Sequence, residues 1–213
     1  MHFNYFITLL LITIPATLFC QGFNVNTSDL ETFHFKDPQN RNQITFTSDA
    51  LFETFTGLSS DVWGEVNFNP SDVKNTLKGE VSISVNSITT GIDMRDENLK
   101  SDGWLDSEKF PIISFRIENV EEITIVEDNK IRLSIVGSFD CRGRAREVML
   151  EATLILLEEN NMTRKRMPGD LLSVVADFSI NLSDYDIRSI FIPDRVSDKI
   201  TITVNIVGSN AKP

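Results

Sequence analysis

The segment IRLSIVGSF, residues 131–139, alternates between two kinds of side chain with a period of two. Its even-numbered positions are polar apart from Val136. Its odd-numbered positions hold Ile131, Leu133, Ile135, Gly137 and Phe139. Because successive side chains of a β-strand point to opposite faces, this alternation predicts a strand in a sheet with one buried face.

The same alternation returns along most of the chain. The clearest further segments are 62–68, 81–85, 113–117, 148–156, 172–182 and 200–206, with shorter ones at 32–36 and 43–47. Together they predict about eight or nine strands, a number typical of an all-β barrel or sandwich. One domain is expected, since no linker or internal repeat divides the chain.

The alternation leaves two questions about the buried face. A membrane barrel turns its apolar face to lipid, whereas a water-exposed barrel turns it inward. The polar positions carry charges of both signs and no aromatic girdles, which favours an apolar interior. Period-two alternation does not say whether that interior is packed solid or hollow, because both arrangements bury the same face.

One stretch has a helical character. Residues 94–101, MRDENLKS, follow Asp93, which we expect to cap the helix, and precede Gly103, which we expect to end it. A short helix between long strands is predicted to plug one end of a barrel. Trp104, just beyond it, is expected to cover that end.

The first twenty residues differ from the rest. Residues 1–20 contain no Asp, Glu, Lys or Arg, and residues 7–14 form an apolar run, as in a secretory signal peptide. This run is shorter than the ~20 apolar residues that span a bilayer, so no stable membrane span is predicted. Cleavage after Cys20 leaves a single domain at 21–213. Lipidation of Cys20 is the less favoured alternative.

Composition and charge exclude several kinds of function. The chain has 213 residues, with 20 basic against 31 acidic side chains and a net charge of −11. This charge argues against nucleic-acid binding, which needs a basic surface. The chain has 15 Phe but only 2 Trp and 2 Tyr. Since phenylalanine has no polar atom, this excess favours a dry apolar interior.

Few residues could carry catalysis. Beyond residue 20 the chain has one histidine, His34, and one cysteine, Cys141, far apart in sequence. A reactive thiol needs a neighbouring base, and a metal site needs several ligands at short spacings. No intramolecular disulfide can form in this part of the chain. The sequence therefore predicts no enzyme activity, no metal and no cofactor.

Residues 82–120, SISVNSITTGIDMRDENLKSDGWLDSEKFPIISFRIENV, resemble the signature region of the YceI-like family of secreted polyisoprenoid-binding proteins. The matching residues follow in the family's order: Ser87-Ile88, Thr90-Gly91, Arg95-Asp96, Leu99, Trp104, Asp106, Lys109-Phe110-Pro111 and Phe115. Residues 137–150 are similar to the family's Gly-x-Leu-Thr hairpin, and residues 196–206 also fit its pattern.

Asp37-Pro38 resembles the Asp-Pro that opens the family's domain, so the resemblance covers nearly all of the chain after residue 20. The sequence also departs from the family's pattern. Histidines usual in the family are replaced by Asn98, by Arg142 and by polar residues around Arg41-Asn42. Any role that needs those imidazoles is therefore not expected here.

The resemblance implies a lipocalin-like antiparallel β-barrel with a short helical plug and a long isoprenoid chain in its lumen. The implied ligand is a polyisoprenoid or a similar isoprenoid quinone precursor, carried or buffered in the bacterial periplasm. The residues expected to line the lumen are Phe46, Phe68, Val81, Ile83, Val85, Phe115, Ile117, Leu133, Ile135, Phe139, Leu150, Leu154, Phe178, Ile180, Ile202 and Val204. Residues expected at the rim, near a polar head group, are Arg95, Trp104, Arg142 and Arg146.

Two other interpretations stay open at this point. A cell-envelope module with a filled core would bind a partner and no ligand, and an enzyme on the same barrel would need an ionisable group facing the lumen. Arg95-Asp96 also fits a structural ion pair or helix cap, and the arginines at 142–146 fit a solvated turn. The sequence does not determine whether the chain is a monomer or a dimer.

Overall fold

A computed structural model describes residues 21–25 and 29–211. Its fold class is all-β, as predicted. The ten strands are β1 Glu31–His34, β2 Gln43–Asp49, β3 Thr54–Ser59, β4 Val62–Phe68, β5 Lys78–Ser84, β6 Ile112–Glu127, β7 Lys130–Cys141, β8 Arg144–Leu157, β9 Leu171–Asn181 and β10 Lys199–Ser209. The two helices are α1 Val73–Thr76 and α2 Asp93–Lys100. The predicted signal peptide, residues 1–20, lies outside the described residues.

Eight antiparallel strands close into a barrel in the order β1-β4-β5-β6-β7-β8-β9-β10. The sheet closes where β10 pairs with β1, through His34 and Ser209. This confirms the predicted antiparallel barrel. An eight-stranded barrel has an interior that side chains can just fill, or that can hold one small ligand.

The hairpin of β2 and β3 adds two strands to the sheet of the barrel, next to β10. Along residues 200–205, β10 pairs with β2 instead of β1, and β2 in turn pairs with β3. The outer edge of β3 has one bridge, between Leu58 and Thr89. Strand β3 was not predicted, because its sequence TFTGLS offers a buried face only one large aromatic side chain, Phe55.

Strand β6 is much longer than predicted. The alternation at 113–117 marks only its first third, because the pairing with β7 has three irregularities, the first two between Ile117 and Asn119 and between Val120 and Glu122. A β-bulge inserts one extra residue and so moves the inward face to the other parity. The apolar residues Ile117, Val120 and Ile123 are therefore three positions apart, and a search for period two misses them.

The two ends of the barrel differ. One end carries the connections at 50–53, 85–111, 142–143 and 182–198, and we call it the mouth. The opposite, closed end carries the connections at 35–42, 69–77, 128–129 and 158–170. The segment 158–170 connects β8 to β9. No helix in the described part of the chain is long and apolar enough to cross a membrane.

A buried asparagine completes the closure of the barrel. The Asn42 amide nitrogen donates to the Phe35 carbonyl oxygen at 2.7 Å and to the Val207 carbonyl oxygen at 3.1 Å. Its Oδ1 accepts from the Val207 backbone N–H at 2.8 Å. The side chain thus joins the chain beyond β1 to β10, where direct backbone pairing is limited to one residue pair. An unpaired amide at this buried position would be costly, so the contacts hold the seam closed.

Next to Asn42, a buried carboxylate binds two arginines. The Asp37 side chain is 0% exposed, and its Oδ2 lies 2.9 Å from Arg41 Nε and 3.4 Å from Arg166 Nη2. Burial acts to raise the pKa of the Asp37 carboxyl, but hydrogen bonds from Arg41 and from the Gln39 backbone N–H, with the charges of Arg41 and Arg166, outweigh it. The pKa of Asp37 is therefore lowered. Since Arg166 belongs to the β8–β9 connection, the cluster ties two loops of the closed end together.

Removing this carboxylate should destabilise the barrel. We expect Asp37→Ala to lower the free energy of unfolding by about 3 kcal/mol, since it leaves two arginines without their buried partner. Asp61→Ala is the control, because Asp61 forms an exposed ion pair with Lys36 at 2.7 Å. That change should cost less than about 1 kcal/mol. Urea unfolding of both variants measures the difference, and equal losses would contradict the role of Asp37.

The effect of Asp37→Ala should also depend on pH. A lowered folded pKa stabilises the fold fully above the unfolded pKa, near the ordinary value of 3.8, and this contribution is lost as the pH falls through the folded pKa. The difference between wild type and variant should therefore stay constant above about pH 5 and shrink on acidification. A difference that grows in acid would contradict this assignment.

Candidate functional site

The barrel encloses a cavity of about 620 Å³ that reaches the surface at the mouth. This volume lies within the range of small-molecule binding sites, about 300–1,000 Å³. The side chains around it are mainly aliphatic and aromatic, and its floor includes the buried Phe35. Of the two interiors that the alternation left open, the structure has the hollow one.

Most of the residues predicted to line the lumen do lie on the cavity wall. They come from β2, β5, β6, β7, β8, β9 and β10, and each has the inward parity of its strand. They are Phe46, Val81, Ile83, Phe115, Ile117, Ile135, Phe139, Leu150, Leu154, Phe178, Ile180, Ile202 and Val204.

Three predicted lining residues are buried elsewhere. Phe68 stacks on Phe33, with ring centroids 5.4 Å apart, in an aromatic cluster away from the cavity. Val85 lies just after β5, in a 3-10 turn. Leu133 is paired with Ile123 and Ala152 towards the closed end of β7. The structure does not place these three on the cavity wall, because parity gives the face of a strand and not which of its inward side chains reach the cavity.

The structure adds lining residues that the sequence analysis did not select. Nine lie on predicted strands with the inward parity and could have been chosen by that signal: Val66, Ile113, Ala152, Leu172, Val174, Ala176, Leu182, Ile200 and Ile206. The others at the mouth come from connections or from the unpredicted β3, where no periodicity marks them: Phe55, Ile88, Ile92, Met94, Leu99, Leu105, Ile187, Phe191 and Val196.

Phenylalanine rings form one side of the wall. The Phe178 ring centroid lies 5.4 Å from that of Phe139, edge to face, and 6.1 Å from that of Phe115. Gly137 makes room for this arrangement, since a Cβ there would lie 2.3 Å from the Phe115 ring. The same holds for Gly57 under the ring of Phe46, where a Cβ would lie 2.3 Å away. Glycine within these strands therefore allows rings to lie across the sheet.

Helix α2 lies at the mouth, and its start differs from the prediction. The residue before the helix is Ile92, and no side chain caps it, so Asp93 is the first helical residue and not the cap. The carboxylate of Asp96 instead accepts from Thr89 Oγ1 at 2.6 Å and from the Thr90 backbone N–H at 2.7 Å. These bonds tie the helix to the preceding loop. Burial acts to raise the pKa of the Asp96 carboxyl, but the hydrogen bonds from Thr89 and Thr90 outweigh it, so this pKa is lowered.

Arg95 and Trp104, two of the four predicted rim residues, line the cavity. The Arg95 Nη2 lies 2.9 Å from Glu53 Oε2, and its guanidinium carbon lies 4.2 Å from the centre of the Phe55 ring. Arg95 therefore links α2 to the β2–β3 hairpin, and Glu53 offsets its charge. Of the alternatives left open for Arg95, the structure shows a structural ion pair, formed with Glu53 and not with Asp96.

Arg142 and Arg146, the other two predicted rim residues, do not line the cavity. Arg142 donates to the backbone carbonyl oxygens of Asp186 at 2.7 Å and Asp102 at 2.8 Å. Arg146 Nε donates to the Asp184 carbonyl oxygen at 3.1 Å. Both side chains hold mouth loops against the β7–β8 hairpin, so they lie at the mouth but bind loop carbonyls and do not reach the cavity. Their position in a turn gave no signal of these long-range partners.

The cavity offers little reactive chemistry. Burial is the main cause that raises the pKa of the Cys141 thiol to about 12, so this lining side chain is protonated near neutral pH. Within 21–25 and 29–211, no three His, Cys, Asp or Glu side chains are grouped closely enough to hold a metal ion. The arrangement is suited to enclosing an apolar molecule with its polar end near the mouth.

Comparison with known proteins places this geometry in a family. The model of the YceI-like domain matches residues 36–208. Protein YceI of Escherichia coli O6:H1 is 27% identical over 143 residues, which is 66% of this chain and 68% of that protein. The crystal structure of Burkholderia cenocepacia BcnA has a TM-score of 0.63 at 16% identity, covering 81% of this chain and 99% of the other.

A second solved structure has the same fold. The polyisoprenoid-binding domain from Saccharophagus degradans, implicated in plant cell wall breakdown, has a TM-score of 0.60 at 12% identity. The match covers 85% of this chain and 99% of that domain. At such low identity, these two structures show that the barrel architecture is shared.

A hollow interior predicts tolerance of added volume. We expect Ala176→Phe, in the cavity wall, to change the free energy of unfolding by less than about 1 kcal/mol, because the ring can enter existing space. Val73→Phe is the control, since Val73 is fully buried away from the cavity. It should cost about 1–3 kcal/mol through overpacking. Urea unfolding compares the two, and a loss at Ala176 as large as that at Val73 would indicate a solid interior.

Proposed function

Because the chain belongs to the YceI-like family, we propose that it binds a long apolar lipid in the barrel lumen and acts as a periplasmic carrier or buffer. The proposed ligand is a polyisoprenoid or a similar isoprenoid quinone precursor. The polyisoprenoid-binding domain from Saccharophagus degradans, which shares the fold, supports this choice of ligand.

The cavity is the observation that carries the proposal. Its volume of about 620 Å³ is bounded by apolar walls from the floor at Phe35 to the mouth at Trp104. Burying each methylene of a ligand contributes roughly 0.8 kcal/mol, so a chain of many carbons binds well with few polar contacts. An apolar cavity of this size would be costly to maintain as a packing defect alone. It therefore favours a ligand over the filled-core module.

The polar lining residues suggest how the ligand is oriented. Those that carry charge or an amide lie in the mouth loops, as with Arg95, Glu53, Asn98 and Arg195. A polar head group placed among the wall residues would lose its hydration without gaining such partners. The ligand therefore enters with its apolar tail first and keeps its head at the mouth.

Binding without catalysis is the second part of the proposal. The thiol of Cys141 is held protonated, and the charge of Arg95 is offset by Glu53. Neither group is prepared to act as a nucleophile or a general base. The protein is proposed to need no cofactor other than its lipid.

The periplasmic location is supported by the sequence alone. Residues 1–20 have the apolar run and lack of charge of a secretory signal peptide. In an aqueous compartment, a long isoprenoid needs a protein that shields it from water. Location and cavity together favour the role of carrier or buffer.

Titration with an isoprenoid alcohol tests this proposal. Of the two tryptophans in the chain, Trp104 lines the cavity and Trp63 does not. In the Trp63→Phe variant, produced from the full-length sequence, a C20 isoprenoid alcohol should change the Trp104 fluorescence saturably, at about one ligand per protein. Ala176→Phe, added to that variant, should weaken binding at least about tenfold by occupying the cavity.

Trp104→Phe supplies the matched control. Its remaining fluorescence comes from Trp63 and should stay unchanged over the same titration. The proposal is wrong if Trp104 shows no saturable change, or if Ala176→Phe binds the alcohol as tightly as the parent.

A further inference from the structure

Exposed apolar side chains are concentrated at the mouth of the barrel. Of the thirteen large hydrophobic residues that are exposed in the described chain, six lie on three mouth connections, and we call these six the mouth ring. The mouth ring consists of Leu51, Phe52, Ile92, Met94, Ile190 and Phe191. The exposure is large, at 69% for Phe52, 73% for Met94 and 92% for Ile190. Exposed apolar residues grouped in this way mark interaction surfaces.

The mouth ring is continuous with the cavity. Ile92, Met94 and Phe191 are exposed and also line the cavity, so apolar side chains connect the lumen with the outside. An apolar chain leaving the cavity would therefore meet the mouth ring first. The surface that covers the mouth ring is the one from which a ligand would enter.

Contacts between the loops hold the mouth ring in place. The Phe52 backbone N–H donates to the Asp194 carbonyl oxygen at 2.9 Å, which joins the β2–β3 turn to the β9–β10 connection. The Arg95–Glu53 pair joins α2 to the same turn. The three connections thus form one fixed frame that presents its apolar side chains outward. These contacts hold apolar side chains in exposed positions, which favours a function for them.

The charges around the mouth ring indicate the kind of surface it meets. The guanidinium carbon of Arg195 lies 5.6 Å from the centre of the Phe191 ring, and that of Arg95 lies 4.2 Å from the centre of the Phe55 ring. Glu53 and Asp194 lie beside them, and the chain has a net charge of −11. Aromatic rings beside polar groups suit the interface of a bilayer. The acidic chain excludes electrostatic attraction to anionic lipid as the driving force.

We propose that the mouth ring docks on the surface of a zwitterionic lipid bilayer and places the cavity mouth against the acyl region. The ligand then passes between bilayer and cavity without crossing water. This inference rests on the proposed function, because only a ligand stored in a membrane requires such contact. Insertion of a large apolar side chain into the bilayer is favourable, so a few residues suffice for reversible binding.

Vesicle flotation tests the docking. The protein, produced from its full-length sequence, should float with phosphatidylcholine vesicles. The double variant Phe52→Ser with Ile190→Ser should lower the vesicle-bound to free ratio at least about tenfold. Neither residue lines the cavity, so both lipid binding and folding should be retained. The control is Met149→Ser with Met162→Ser, at 60% and 71% exposure but outside the mouth ring, and it should float like wild type.

Four results would overturn the docking. These are a wild-type protein that does not float, an equal loss in the methionine control, flotation that requires anionic lipid, and self-association that depends on Phe52 and Ile190 in place of flotation. The last is read by light scattering and would assign the mouth ring to a second copy of the chain.

The docking and the proposed function can fail separately. The fluorescence titration with the C20 alcohol is performed without vesicles, so it reports on the cavity alone. Saturable binding without flotation overturns the docking and leaves the lipid-binding proposal standing. Flotation without saturable binding overturns the lipid-binding proposal and removes the basis of this inference.

Discussion

The closed barrel depends on the seam between β1 and β10. Backbone pairing there involves only His34 and Ser209, and the side-chain amide of Asn42 bridges the seam with one hydrogen bond to Phe35 and two to Val207 of β10. The buried Asp37, with Arg41 and Arg166, anchors the adjoining loops. If this seam opened, the inner faces of eight strands would be exposed to water, and no cavity would exist. A polar cluster at one end therefore maintains an apolar space at the other.

The molecule separates stability from function along its axis. The closed end holds the ion pairs of Asp37 and the aromatic cluster of Phe33 and Phe68. The middle is hollow, and the mouth consists of connections tied together by a few contacts, including Arg95–Glu53 and the two carbonyl bonds of Arg142. The contacts that hold the seam closed therefore lie apart from the contacts that shape the mouth.

The sequence predicted the wall of the barrel far better than its ends. In β9 every residue pairs regularly with β10, so the alternation around Phe178 correctly marks the inward face. In β6 the bulges change the parity, so the alternation ended at Ile117, ten residues before the strand does. Parity also does not show which inward side chains reach the cavity, which is why Phe68 and Leu133 were assigned to the cavity wall. The mouth depends on long-range contacts, such as that of Arg142 with Asp186, which no local pattern reveals.

The central claim is that the barrel is hollow in order to hold a long isoprenoid lipid. The most direct measurement is mass spectrometry of an organic-solvent extract of the denatured protein, after production from the full-length sequence in a bacterial host and incubation with isoprenoid lipids. We expect about one isoprenoid lipid for each chain, with much less in an extract of the Ala176→Phe variant. An extract without lipid after that incubation would contradict the claim.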